Sequence, residues 1–234
     1  FILILLLLYQ TPSNSKSTSF NHLDSKNLSK YFSGIVAFEN KDNPAALEFF
    51  NSSKILINRH DPYLRKYISS LVLQNKVPQA IGIIKQNLEK ENSNFFDAYL
   101  LLIIDSLKKN NFDKAFSHLL EADRFTKQDK FSLAILESLK QYVYVFKEKG
   151  FLDNKKNFGK LSIISETFQK CYLGDPETDT YFSKLINNTE SDFTRYIYFY
   201  LTFLIEKDRL VKAKEVTNNI QYINTTLLLS QAKS

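Results

Sequence analysis

Tryptophan and methionine are absent from this chain of 234 residues, cysteine occurs once, and glycine and proline occur five times each. Each shortage excludes something. A single cysteine, Cys171, rules out an intrachain disulfide. It falls in a helical stretch and reads as a small buried apolar residue rather than a nucleophile. So few glycines and prolines argue against a turn-rich β sandwich or barrel. The three histidines, His22, His60 and His118, lie far apart. No HExxH, CxxC, GxSxG, P-loop or GxGxxG pattern is present, so no catalytic residue, metal ligand or cofactor site is expected.

Charge of one sign is also scarce. Thirty-one basic residues face 25 acidic ones, for a net charge of +6. The two signs are well mixed, which reads as a solvated surface and not as the clustered basic face of a nucleic-acid binder. The densest basic run, Lys147, Lys149, Lys155, Lys156 and Lys160, is interrupted by Glu148 and Asp153. It reads as a solvated loop between helices.

Hydrophobic residues make up 44% of the chain, with 20 phenylalanines and 13 tyrosines, which is ample for a core. Residues 1–9 (FILILLLLY) form a short apolar run, followed by a polar, proline-containing stretch to Ser19. The run resembles the core of a secretory signal, or the end of an uncleaved anchor. Nine residues are too few to span a bilayer, which takes about 20 in a helix. Residues 1–19 are therefore expected to be a leader remnant and linker outside the fold. An exported, periplasmic or envelope-associated protein is expected, with a membrane tether left open.

The organising signal is a period. Ala46, Ala80 and Ala115 lie 34 and then 35 residues apart. Pro44 recurs as Pro78; Leu47 as Ile81 and Phe116; Phe50 as Ile84 and Leu119. Around them run apolar positions at helical spacing. In the first unit these are Leu28, Tyr31, Phe32, Ile35, Val36 and Phe38, a break at Lys41-Asp42-Asn43 with Asn43 as N-cap, then Leu47, Phe50 and Ile55 facing inward. The second unit opens at Asp61-Pro62, carries Tyr67, Ile68, Leu71 and Leu73, turns at 75–78, and continues through Ala80, Ile81 and Ile84. The third carries Tyr99, Leu102 and Ile103, turns at Lys109-Asn110-Asn111, and continues through Ala115, Phe116, Leu119, Leu120 and Ala122. A small side chain lets two antiparallel helices approach, and alanine does so without the helix penalty of glycine. Gly34 is expected to serve the same end. Each pair alone leaves an apolar face that its neighbour must cover.

These segments resemble tetratricopeptide repeats over residues 27–125, on Gly34, Ala46, Phe50 and Ser53, then Tyr67, Ala80 and Ile84, then Tyr99, Leu102, Ala115, Leu119 and Ala122. The family tryptophan is missing, Ile68 stands where glycine or alanine is preferred, and Asn87 where alanine is preferred. The apolar leader and Asn/Lys-rich repeats together resemble exported repeat proteins of Gram-negative bacteria. The resemblance implies an all-α, right-handed superhelical solenoid of antiparallel helix pairs over residues 20–234, its later units degenerate and the repeats continuing past residue 234. It implies a non-catalytic scaffold that holds a protein or peptide in a concave groove. By repeat register the groove residues are Tyr31, Ile35 and Phe38, then Arg65, Lys66 and Ser69, then Asp97, Leu101 and Lys108. The alternative is the N-terminal helical part of a larger envelope enzyme or of a secretion or glycan-assembly component.

Beyond residue 125 the pattern loosens. A helix over 131–147 should end at Gly150. Its partner, over 157–172, should turn Phe158, Leu161, Ile164 and Phe168 inward, with Gly159 at a close approach. Gly174-Asp175-Pro176 is a strong break. A short helix follows over 178–186. The stretch 193–206 is apolar nearly all round and should be buried on several sides. A last helix from Asp208 carries Leu210, Val211, Val216 and Ile220, with Ala213 as a further crossing alanine.

Overall fold

A computed structural model describes residues 25–88, 95–127, 129–153, 155–187 and 196–219. The expectations for residues 1–19, His22 and Ile220 lie outside them. Every regular element among the described residues is helical. They are α1 (Ser25–Glu39), α2 (Asn43–Asn51), a 3-10 turn (Lys54–Asn58), α3 (Asp61–Leu73), α4 (Val77–Asn87), α5 (Phe96–Lys108), α6 (Phe112–Asp123), α7 (Lys130–Glu148), α8 (Lys160–Leu173), α9 (Thr178–Ile186), α10 (Ile197–Glu206) and α11 (Leu210–Asn219). None of the described helices is long and apolar enough to cross a membrane. The chain divides between Ala98 and Tyr99 into two compact units.

The period of the sequence is written in the backbone. Lys41, Asn75 and Asn110 all take the left-handed conformation (φ 63°, 56° and 55°), as does Asp208 (φ 55°). Each lies five residues before an alanine: Ala46, Ala80, Ala115 and Ala213. In every case the next N–H closes back onto the preceding helix: Asp42 to the Ala37 carbonyl, Lys76 to Leu71, Asn111 to Ser106 and Arg209 to Leu204, at 2.8–2.9 Å. This is a Schellman closure, which satisfies carbonyls the helix end leaves open. The alanine N–H then makes the first bond of the following helix, to the carbonyls of Asp42, Lys76, Asn111 and Arg209 at 2.9–3.1 Å. The same turn thus joins α1 to α2, α3 to α4, α5 to α6 and α10 to α11. All four alanines are buried.

In the unit before Tyr99, α1 lies tightly on α2. A Cβ placed on Gly34 would meet the Phe50 ring at 2.8 Å and the Phe49 Cβ at 3.2 Å. The α2 N-cap is Asp42, one residue before the expected Asn43; its carboxylate accepts from the Ala45 N–H at 3.1 Å. After α2 the chain tightens into the 3-10 turn. With three residues per turn, this puts Leu56 inside and leaves Ile55 52% exposed, against expectation. Leu73 also faces outward, at the last residue of α3, beyond the packed stripe of Leu64, Tyr67, Ile68 and Leu71. The core here is largely aromatic. Tyr31, Phe50, Tyr63 and Tyr67 follow one another at centroid separations of 5.8–6.0 Å. The Tyr63 hydroxyl donates to the Phe50 carbonyl and the Tyr67 hydroxyl to Asn51 Oδ1 at 2.8 Å. Burial pushes the Tyr63 pKa well above the usual phenol value. His60 stands at the start of α3 and packs its ring edge-on to Tyr31 at 4.7 Å.

The unit from Tyr99 onward departs further from expectation. Phe116 and Leu120 on α6 were expected inside but are 42% and 63% exposed, because the buried stripe of α6 is only Ala115, Leu119 and Ala122. α7 is closed by Lys149 in the left-handed conformation and not by Gly150. α8 begins at Lys160, leaving Phe158 in the preceding loop. Gly159 makes no close approach: a Cβ there would meet nothing within 4 Å, and its φ of +62° is what requires glycine. The seam between α7 and α8 mixes polar pairs with a ring contact, Phe146 edge-on to Tyr172 at 4.7 Å. Ser138 bonds Ser165 at 2.8 Å and Gln169 donates to Gln141 at 3.2 Å, while Leu161, Ile164 and Phe168 are only half-buried. Gly174 ends α8 in the left-handed conformation. α10 buries one stripe, Ile197, Tyr200 and Leu204, and leaves Tyr198, Phe199 and Ile205 exposed, so it is not enclosed on several sides. Leu210 and Val211 on α11 are exposed as well.

This packing sets opposite expectations for two glycines. Gly34→Ala should cost about 1–3 kcal/mol through overpacking against a buried ring. Gly82 lies inside α4, where an added Cβ would meet nothing within 4 Å. Its substitution by alanine should instead gain about 0.5–1 kcal/mol. Denaturant melts of both variants check the contrast; equal losses would remove the close-approach role of Gly34. Lys41→Gly should raise stability, since a side chain at positive φ costs about 1–2 kcal/mol. A lower Tm would show that the lysine compensates elsewhere.

Candidate binding surface

The residues expected to line a groove do not form one set. Tyr31 is buried in the aromatic core and is unavailable to a ligand. Ile35 and Phe38 are half-buried on α1. Lys66 on α3 reaches back to Phe38: its ammonium lies 4.6 Å from that ring centre and 2.9 Å from Glu39 Oε1. Ser69 donates to the Arg65 carbonyl at 2.9 Å, and the Arg65 guanidinium covers the Phe95 ring at 5.1 Å. Asp97 and Lys108 are exposed, and Leu101 is half-buried. Of the nine, then, Phe38 and Lys66 are brought together across α1 and α3, with Lys66 lying over the ring. The packing residues Gly34, Ala46, Phe50, Ala80, Ile84, Ala115, Leu119, Ala122 and Ala213 are all buried.

A better-formed concavity lies elsewhere, between α6, α7 and the loop after α7. It has a volume of about 320 Å³. Phe116, Val143, Tyr144 and Leu152 make its apolar walls, and Lys140, Lys147 and Glu148 its rim. α7 builds one side because residues 140, 143, 144 and 147 recur at helical spacing and share a face. Phe116 stands opposite on α6. The two lysines differ. Lys147 is held by Asp113 Oδ1 at 2.7 Å, with Glu148 at 3.8 Å. The hydrogen bond with Asp113, then its charge, raises the Lys147 pKa. Lys140 has no ion pair or hydrogen bond among the described residues. A concavity of this size accepts one or two bulky side chains and not a large cofactor.

Sequence reasoning missed this site because it placed Phe116 in the core, in register with Leu47 and Ile81. The signal was present: Phe112, Phe116, Leu119 and Leu120 make an apolar stripe too wide for one buried face. The basic run around it is not simply solvated. Lys149 bonds the Tyr172 hydroxyl, Lys155 pairs with Glu166 at 3.0 Å, and Lys156 with Glu137 at 3.1 Å.

A second surface, on α1 and α2, exposes Phe32, Val36 and Phe49 around a shallow depression.

Two charged clusters are internally satisfied and read as structural. Lys170 is nearly buried between the Phe151 and Tyr181 rings, with Glu177 at 2.8 Å and Asp175 at 3.3 Å. Asp179 on α9 receives the Tyr200 hydroxyl at 2.5 Å, Arg209 at 3.3 Å and the Lys212 ammonium, so it ties α10 and α11 to α9. Burial opposes its charge, but the Lys212 and Tyr200 hydrogen bonds and the neighbouring cations outweigh burial and lower its pKa. Burial, reinforced by that carboxylate, pushes Tyr200 up to about 12. Cys171 is half-buried, not fully buried, and burial raises its thiol pKa, opposite to an activated nucleophile. His118 packs against Tyr99 at 6.4 Å. No family model, curated protein or solved structure matches this chain.

Because the Asp179 pKa is depressed on folding, its contribution is present above the unfolded value of 3.8 and lost as pH falls through the lower folded one. Asp179→Asn should cost about 1–3 kcal/mol at neutral pH and flatten the acid limb of the stability profile. Thermal melts across pH test both; an unaltered acid limb would remove the cluster's role.

Proposed function

We propose that this protein is a non-catalytic scaffold of helical repeats, of tetratricopeptide type, that binds a protein or peptide partner. The observation that carries the reading is the turn repeated at Lys41, Asn75, Asn110 and Asp208, each followed after five residues by a buried alanine. A chain that rebuilds one hairpin four times is organised to present helix faces, and stacked hairpins of this kind form extended binding surfaces. The α6–α7 concavity, with two half-exposed aromatic residues at its mouth, is the place where a partner side chain docks. Aromatic anchors are the residues most often responsible for binding energy at such surfaces. The apolar run at residues 1–9 supports placement in the cell envelope.

The test is direct binding of short fluorescent peptides, varied in apolar content and charge, to the purified chain. Some apolar peptides should bind, and Phe116→Ala should weaken them about tenfold, with retention of the helical spectrum and of a cooperative melt, because the ring is half-exposed and outside the buried stripe of α6. Uniform failure to bind, by a chain that retains its helical spectrum, would sink the scaffold reading.

A further inference from the structure

We infer that the α6–α7 concavity selects an acidic amphipathic segment of a partner protein: a bulky apolar side chain in the cavity and a carboxylate at Lys140, one helical turn away. The inference rests on the scaffold reading and narrows it. Its basis is the uneven charge around an apolar hollow. Lys140, Tyr144 and Lys147 occupy one stripe of α7 at positions i, i+4 and i+7, with Val143 beside them at the bottom of the cavity, 1% exposed. The stripe spans about 10 Å, at 1.5 Å per residue. At one end Lys147 is already neutralised by Asp113 and Glu148, both within 4 Å. At the other end Lys140 is uncompensated among the described residues. Between the two ends lie Phe116 and Tyr144, 42% and 36% exposed.

A ligand entering this hollow therefore meets apolar surface in the middle, a balanced pair at one end and a lone cation at the other. A basic segment would bring a second cation against Lys140, and like-charge juxtaposition opposes docking. A nucleic-acid backbone needs several uncompensated cations in a row, whereas one of these two lysines is already engaged with carboxylates. An acidic amphipathic helix meets each requirement. Its apolar knob displaces water from Phe116, Tyr144 and Leu152, and its carboxylate, three or four residues along, reaches Lys140. The asymmetry also sets direction, because the reverse orientation places the carboxylate beside Glu148 and Asp113.

The experiment uses the full chain and matched helical peptides that carry leucine or alanine at the central position and glutamate, glutamine or lysine one turn away. Binding is read by fluorescence anisotropy at two salt concentrations. The leucine–glutamate peptide should bind best, about three- to tenfold better than its lysine counterpart, with the advantage shrinking at high salt. Lys140→Glu should invert the order, so that the lysine peptide becomes the better ligand. That inversion cannot come from misfolding, since the variant must still bind. Equal binding of acidic and basic leucine peptides, with loss on Phe116→Ala, would overturn the acidic preference and leave the scaffold reading intact. Failure of every peptide would overturn both. Concentration-dependent self-association in sedimentation, competed by the leucine–glutamate peptide, would assign the hollow to a second copy of this chain and overturn the inference.

Discussion

One turn governs the structure. At Lys41, Asn75, Asn110 and Asp208 the chain reverses through a single left-handed residue, closes the outgoing helix with a bond reaching back five residues, and launches the next helix within two residues. So short a connection leaves the two helices antiparallel and close. Closeness in turn demands a small side chain where they meet, and the buried alanine five residues on answers it. The positive φ is carried at three of these turns by asparagine or aspartate, the non-glycine residues that tolerate it best, and at one by Lys41, which the surrounding bonds hold there against its local preference.

Both units pack aromatic rings together, Phe168, Phe182, Tyr200 and Phe203 in the one after Tyr99, and they differ in the polar contacts added to that packing. Before Tyr99 the core is a run of aromatic rings, and tyrosine hydroxyls are aimed at groups at the end of α2, such as the Phe50 carbonyl and the Asn51 side chain. Large rings and a bare Gly34 leave little room for adjustment, because Phe50 fills the space where a Cβ would stand. After Tyr99 the seam between α7 and α8 adds serine and glutamine pairs to the Phe146–Tyr172 ring contact, and Asp179 fastens α9, α10 and α11 through three donors. Such contacts are directional, so they specify which helices meet rather than supplying most of the burial.

How much was readable in the residues follows from this. The helices, the period and the burial of the repeated alanines were legible because they depend on spacing and on side-chain size, both local properties. The Ala213 hairpin was legible for the same reason, although its neighbours match poorly. The binding surface was not. Phe116 occupies the register of Leu47 and Ile81, and periodicity assigns all three to the core; only the placement of α7 beside α6 decides that Phe116 stands at the mouth of a hollow. Conversely Tyr31 has the spacing of a groove residue, yet the rings of Phe50, Tyr63 and His60 surround it.

By itself the sequence determined an all-helical chain, the reversal every 34 or 35 residues through the first three hairpins, and the residues that let helices touch. These are set by propensity, by side-chain volume and by turn chemistry within a few residues. Tertiary structure alone decided which apolar residues remain exposed, that among the described residues Lys147 is neutralised by Asp113 while Lys140 is not, and that the hollow lies on α6 and α7. The reason is that exposure and charge balance depend on residues up to 34 positions apart, brought together only when one helix packs against another.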